Sequence, residues 1–243
     1  MFENVTSLHV DIQNFALVTH AVPAERVRSL VPDRFELQTF VGDGGREMAL
    51  VSANGFCNRQ IRWGASRYPA HDFDQITFRT YVLYRGRASS YFFGTYVSTR
   101  LSWIGQVSVA RWTWLADFDV DIERGTAGYP SYFCRADGGP GEVSYRLEAT
   151  DRPVAKTPFE TGDELAQFIT YRLHGLTRHP LGFQVHGPIE HRRMRPWSGR
   201  LLEGRFDFWA ALGILREDEF TDVYSVLIEP SVRFKLFLPR LAR

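Results

Sequence analysis

Lysine is nearly missing from this chain: of 29 basic residues only Lys156 and Lys235 carry an amine, and the rest are arginines. Amine nucleophiles are therefore scarce. Guanidinium groups, which stay charged and grip carboxylates through two parallel N–H bonds, are plentiful. A GC-rich genome that fills surface positions with arginine accounts for most of them. Cysteine is also rare. Cys57 and Cys134 stand far apart and give neither a disulfide framework nor a zinc-ligand spacing; they read as buried thiols in a reducing compartment. The opening MFENVTSLHVDIQ has no basic stretch leading into an apolar run, so no signal peptide is expected. No apolar stretch approaches the roughly 20 residues that span a bilayer, and the expected location is the cytoplasm. A formal net charge of +1 supplies no field for nucleic acid or an anionic membrane, and neither is expected as a partner.

Strong catalytic signatures are missing too. The chain has no Gly-x-Ser-x-Gly elbow and no Gly-x-Gly-x-x-Gly after a strand. The glycine run Asp137-Gly-Gly-Pro-Gly141 lacks the following helix and the Lys-Ser/Thr of a phosphate loop, and reads as a hairpin connection. His174 and His179 are five apart, as are His186 and His191; that spacing splits a pair across a strand and misaligns it on a helix. His71-Asp-Phe-Asp74 reads as a solvated turn, and Asp117, Asp119 and Glu217-Asp218-Glu219 as charges at element ends. No cofactor and no metal are expected.

What the chain does have is rings and strands. Hydrophobic residues make up 44% and aromatics 14%, a composition that favours strands and apolar cavity walls. Residues 8–13 alternate, and 15–22 continue as a more fully apolar strand. A short helix follows over 23–32. Strands are expected at 35–41, 47–57, 75–85, 89–102, 106–118, 130–136, 142–149, 181–194, 222–228 and 231–238. Thr161-Gly-Asp-Glu164 is a capping box opening a helix through Leu173. A second helix is expected near 200–212, with Leu202, Phe206, Trp209 and Ala210 on one stripe and Gly213 as its stop. There is no linker, repeat or composition break. The expectation is one mainly β domain over 1–243, an antiparallel barrel or cone with a few peripheral helices.

Polar side chains inside aromatic strands are the most informative feature. Arg79 and Tyr81 share one face of their strand and Phe78 the other; Tyr96, Ser98 and Arg100 are expected on a common face of the next. An arginine so placed either points to solvent or is paired inside, where low dielectric makes it a strong anion-binding group.

Several segments, in this order and spacing, resemble the YqjF-like family of the acetoacetate decarboxylase-like superfamily. They are Val22-Pro-Ala-Glu-Arg-Val-Arg-Ser-Leu-Val-Pro32, Phe78-Arg-Thr-Tyr-Val82 with Gly86 and Tyr91-Phe-Phe93, and Phe168-Ile-Thr-Tyr-Arg172-Leu. Ile189-Glu-His191 with Pro196-Trp197, and Tyr224-Ser225 through Pro230-Ser-Val232-Arg-Phe, extend the match over most of the chain. The resemblance implies a cone- or barrel-shaped β fold around a pocket. In the true decarboxylases a lysine of a Gly-x-Pro-Lys-Lys segment forms a Schiff base, its amine kept neutral by the neighbouring lysine and apolar walls. The matching stretch here is Trp103-Ile-Gly105-Gln-Val-Ser108-Val109, with Ser108 and Val109 where the lysines would stand. Schiff-base decarboxylation is therefore not expected.

Two functions are compatible with these residues. The first is a cofactor-independent enzyme acting on a small carbonyl- or carboxylate-bearing, polyketide-like substrate by lyase, dehydration, isomerisation or cyclisation chemistry. Arg79 would hold the anion, Tyr81 or Tyr96 would donate to the oxyanion, and His191 would carry the proton. Phe78, Phe93, Arg100, Ser108 and Trp112 would line the substrate pocket. The second is a non-catalytic small-molecule binder using the same pocket without the proton shuttle. Assembly into a homo-oligomer is left open.

Overall fold

The computed structural model describes residues 7–63, 71–107, 110 and 112–242. Alternation at the start of the chain builds one long strand, β1 (Ser7–Pro23), kinked where Asn14 takes a φ of 52° and the register against the next strand shifts. Pro230 falls opposite this kink, between the pairs Gln13–Ser231 and Phe15–Glu229, where its missing N–H leaves no ladder bond broken. The phenols of Tyr129 and Tyr132 donate to the Asn14 side-chain and main-chain oxygens and hold the kink.

The chain continues through α1 (Ala24–Arg28), β2 (Glu36–Leu37), β3 (Thr39–Val41), β4 (Glu47–Trp63), β5 (Phe73–Tyr84), β6 (Arg87–Val97) and α2 (Arg100–Val107). Then come β7 (Thr113–Gly125), β8 (Gly128–Gly138), β9 (Gly141–Asp151), α3 (Gly162–Thr170), β10 (His174–Arg178) and β11 (Gln184–His191). It ends with β12 (Trp197–Phe206), α4 (Asp207–Ala211), β13 (Ser225–Phe237) and β14 (Arg240–Leu241). All fourteen strands belong to one sheet, mostly antiparallel, with parallel pairs β6–β7 and β6–β10. The sheet closes twice. One circuit runs β1-β4-β5-β6-β7-β8-β9-β12-β13 and back to β1; the other leaves β6 through β10 and β11 to rejoin β13.

Strands common to both circuits are covered on both faces, so they read as apolar runs instead of alternating ones. In β5, Ile76, Phe78 and Val82 face the larger core, while Tyr81 faces a second one with Leu17, Leu50, Leu165, Ile169 and Leu227. The larger core is filled with rings from α4 and its approach, Phe206, Phe208 and Trp209, with Phe78 stacked on Phe208 at 3.9 Å between centroids. Gly94 makes room for this packing, since a Cβ there would meet the Phe208 and Trp114 rings at 2.8 Å. The second core is closed by α3. Its capping box forms as expected: Thr161 Oγ1 accepts from the Glu164 amide at 3.1 Å, and the Glu164 carboxylate accepts from the Thr161 amide at 3.2 Å.

Several expectations about elements need correction, among them the strand over 106–118: Gln106 and Val107 end α2, and β7 begins at Thr113. Residues 197–206 are strand β12, paired with β9, and only Asp207–Ala211 is helical; Leu202 is exposed, so its place in a helical stripe was coincidence. The strand expected to run through residue 102 ends at Val97, because Arg100 opens α2. The segments 222–228 and 231–238 belong to one strand, β13, which begins at Ser225 and passes through Pro230 opposite the β1 kink.

Candidate functional site

The residues singled out from sequence do not converge. Phe78, Phe93 and Tyr96 lie in the larger core, where the Tyr96 hydroxyl donates to the Gly141 carbonyl at 3.0 Å and burial pushes its pKa up. Arg79 and Tyr81 lie on the other face of β5. The Tyr81 hydroxyl is 2.6 Å from Ser52 Oγ, which is 2.8 Å from Thr19 Oγ1, all three side chains being buried. Arg79 Nη2 donates to the Ile169 carbonyl at 2.8 Å; Asn54, with its amide oxygen turned inward, accepts from Nη1 at 3.2 Å and Nε at 3.0 Å. Arg172 joins them: its Nε donates to the Phe168 carbonyl and its Nη1 to Gln38, both at 2.6 Å. The guanidinium carbons of Arg79 and Arg172 sit 5.5 and 5.1 Å from the Tyr81 ring. Phe168 and Ile169 belong to the last turn of α3, so both arginines serve a helix C-terminus.

His191 stacks on Phe234 at 4.5 Å and its Nδ1 donates to the Arg192 carbonyl at 2.7 Å. Burial, then the Arg79 charge, lower its pKa against the opposing effect of that hydrogen bond. Arg100 is exposed at the first position of α2, and half-buried Trp112 offers its carbonyl to the Thr95 amide. Ser108, with Val109, lies outside the described residues.

A different set of residues makes a pocket. It has a volume of about 600 Å³ and is lined by Tyr84, Arg85, Arg87, His174, His186, Arg240 and Leu241. Five strands and one turn supply it. β5 and β6 are joined by Arg85-Gly86, both at positive φ (54° and 72°), the tight hairpin turn whose twist suits antiparallel strands. This fixes Tyr84 opposite Arg87. β10 and β11 pair so that Leu176 faces His186, bringing His174, two residues before Leu176, onto the same face. β14 places Arg240 beside His186 across the strand pair, and the Arg34 bond to the Ala242 carbonyl, at 3.0 Å, anchors the chain beyond.

His174 Nδ1 and His186 Nε2 are 2.9 Å apart, so one ring donates and the other accepts. Tyr84 packs on His186 with centroids 5.4 Å apart and fixes the plane of the pair. Burial, then the charge of a protonated His174 and of Arg240, Arg85 and Arg87, lowers the His186 pKa to about 4. Burial, Arg87 and Arg240 lower that of His174. The pair is therefore neutral at pH 7, with an accepting nitrogen at one outer end and a donating one at the other. Sequence spacing concealed this pair because the two histidines are twelve residues apart and meet only through a hairpin. Among the described residues no group of three or more His, Cys, Asp or Glu side chains could hold a metal ion.

Solved structures with the same architecture include the enduracididine biosynthesis enzyme MppR complexed with pyruvate, at 14% identity and a TM-score of 0.64 over 98% of this chain and 90% of that one. An acetoacetate decarboxylase-like enzyme from Sphingomonas wittichii RW1 superposes at 11% identity and 0.61, covering 98% and 93%. Acetoacetate decarboxylase from Legionella pneumophila subsp. pneumophila str. Philadelphia 1 does so at 10% and 0.63, covering 98% and 87%. At these identities the likeness is one of fold, and the fold is acetoacetate decarboxylase-like. Among curated proteins none matches. The family model of an uncharacterized conserved protein, DUF2071 (COG2071), matches residues 9–231, and the chain belongs to that family.

Proposed function

We propose that this protein is an enzyme that moves a proton at a carbon beside the carbonyl of a small, carboxylate-bearing substrate. The observation that carries this reading is the hydrogen-bonded His174–His186 pair inside a pocket whose charged walls are all guanidinium groups. The arginines hold the substrate carboxylate and stabilise the enolate oxygen that develops when the carbon loses its proton. The accepting nitrogen of the histidine pair takes that proton, and the pair returns it to another carbon or to a departing hydroxyl, which gives isomerisation or dehydration. The roles expected from sequence, arginine for the anion and histidine for the proton, are kept, but other residues fill them.

The electrostatics support this order of events. His186 is a weak base because burial disfavours its charged form and because His174 and three arginines repel its proton. A bound carboxylate offsets part of that charge and raises the imidazole pKa toward the working pH, where a general base works best. Neither lysine belongs to the pocket: Lys156 Nζ donates to the Tyr224 carbonyl, and Lys235 Nζ lies 3.6 Å from the Glu190 carboxylate. A Schiff-base route is not part of the reading. Pyruvate, bound to one neighbour of the same fold, is a carboxylate with an adjacent carbonyl and so of the class proposed here.

Deuterium exchange tests the proposal without knowledge of the final product. A panel of 2-oxo and 3-oxo acids is incubated with the protein in D2O and followed by proton NMR. At least one acid is expected to exchange its carbon-bound protons faster with the enzyme, and His186→Gln should slow that exchange at least about a hundredfold. Lack of exchange for every acid that binds would overturn the enzyme and leave the non-catalytic binder.

A further inference from the structure

Resting on that reading of the pocket as the ligand site, we infer that its ligand is a dianion, a phosphate monoester or a dicarboxylate, and that the histidine pair takes up one proton as the ligand enters. Three observations carry this. No Asp or Glu lines the pocket, and among the described residues neither Arg87 nor Arg240 has an ion-pair partner. The arginines stand on two sides of the histidine pair: Arg85 and Arg87 come from the β5–β6 hairpin, and Arg240 comes from β14, next to His186. One negative charge seated at Arg87 leaves Arg240 uncompensated, and one seated at Arg240 leaves Arg87 so. A volume of about 600 Å³ also exceeds what a lone carboxylate or a three-carbon acid fills, and suits a metabolite with an anionic group at each end.

Proton uptake follows from the geometry of the pair. At 2.9 Å, His174 Nδ1 and His186 Nε2 share one hydrogen. Adding one proton at an outer nitrogen gives an imidazolium that still donates to its neutral neighbour. A second proton would set two N–H groups against each other, so the pair takes up one at most. The charged groups facing the pair are Arg85 from the turn, Arg87 from β6 and Arg240 from β14, all repelling that proton, with Tyr84 from β5 packed on the His186 ring. A dianion offsets two of these three charges and offers an acceptor for the new N–H.

Isothermal titration calorimetry at pH 7 reads both parts, with succinate and glycerol 3-phosphate as dianions and pyruvate as the monoanion. Each is titrated in two buffers of different ionisation enthalpy. At least one dianion is expected to bind about tenfold or more tighter than pyruvate, with a buffer dependence that reports uptake of a fraction of one proton. Arg87→Met and Arg240→Met, both at exposed positions, should each bring that dianion down to the affinity of pyruvate. His174→Gln should abolish the proton uptake while the dianion still binds. Preference for succinate or for the phosphate ester decides between the two chemistries. Pyruvate binding as tightly as both dianions, with Arg240→Met weakening all three alike, would overturn the dianion and leave the pocket as the anion site. Affinities unchanged by both arginine substitutions, or binding without proton uptake in the unaltered protein, would overturn the inference outright; the former would remove the pocket reading with it.

Discussion

A buried guanidinium has to find oxygen, and the carbonyls left open in the last turn of a helix carry partial negative charge. Arg79 and Arg172 use those of Ile169 and Phe168 at the end of α3, with Asn54 and Gln38 taking further donors and the buried Tyr81 ring lying beside both guanidiniums. Two cations thus sit in an apolar core without a carboxylate among the described residues, and burial lowers the Arg172 pKa to about 10, with the Arg79 charge adding to the effect. The sequence placed Arg79 correctly on one strand face with Tyr81, but its partner is a main-chain oxygen ninety residues later, which no side-chain pattern announces. Arg79→Met should therefore cost about 1–3 kcal/mol of stability in urea melts, because it leaves helix-end and amide oxygens buried and unpaired. Affinity for the anions of the Arg–His pocket should stay within about twofold. Loss of anion binding with stability intact would return Arg79 to the active site.

At the scale of elements, β7 shows how an exposed strand is kept from pairing further. It pairs with β6 only over Thr113–Leu115, and beyond that its one partner among the described residues is β8. Asp117, Asp119, Asp121 and Glu123 point outward there, alternating with half-buried Phe118, Val120 and Ile122. A second copy adding to this edge would set acid against acid. The double variant Asp119→Thr, Asp121→Val is expected to self-associate with concentration in sedimentation velocity; a monodisperse profile unchanged from that of the unaltered protein would place the edge protection elsewhere. The same alternation is what made the fold legible. Wherever one face meets solvent, as in the first residues of β1, period-two patterning is visible; in β5, with both faces covered, aromatic content had to stand in for it. The helix expected at 200–212 failed because Phe206 and Trp209 belong to different elements, the end of β12 and the start of α4, which happen to fall at helical spacing. The Arg–His pocket was not legible for a related reason. Its histidines, its turn arginines and Arg240 come from segments whose neighbourhood is set by the β10–β11 and β11–β14 pairings, and strand partners are not written in local periodicity.

For the molecule as a whole, the histidines impose one direction on stability with pH. His20, His174, His186 and His191 are all held below the usual imidazole pKa, burial being the largest cause in each. His20 is wholly buried, its Nε2 donating to the Phe220 carbonyl at 3.0 Å while Nδ1 has no partner, so a proton there would be an N–H with nowhere to go. Asp222 and Glu219 favour that proton, but burial outweighs them. Because the unfolded chain binds these protons first, its proton number exceeds that of the native state below about pH 6.5, and the stability gap narrows as pH falls. Each fully differential group contributes a slope of about 1.4 kcal/mol per pH unit. For His186 the slope ends near pH 4, where the folded protein protonates as well. Urea melts from pH 8 to 4 should thus be flat above about pH 7 and fall steadily below it, and His20→Gln should flatten part of the decline. Saturating dianion adds a second signature. By raising the His174–His186 pair it lets the native state bind one of the missing protons, so ligand should stabilise more at pH 5.5 than at pH 7.5 and reduce the slope by one group's share. Stabilisation that is independent of pH would mean that the anion binds without touching the histidine pair, and would separate the pocket's charge from its proton chemistry.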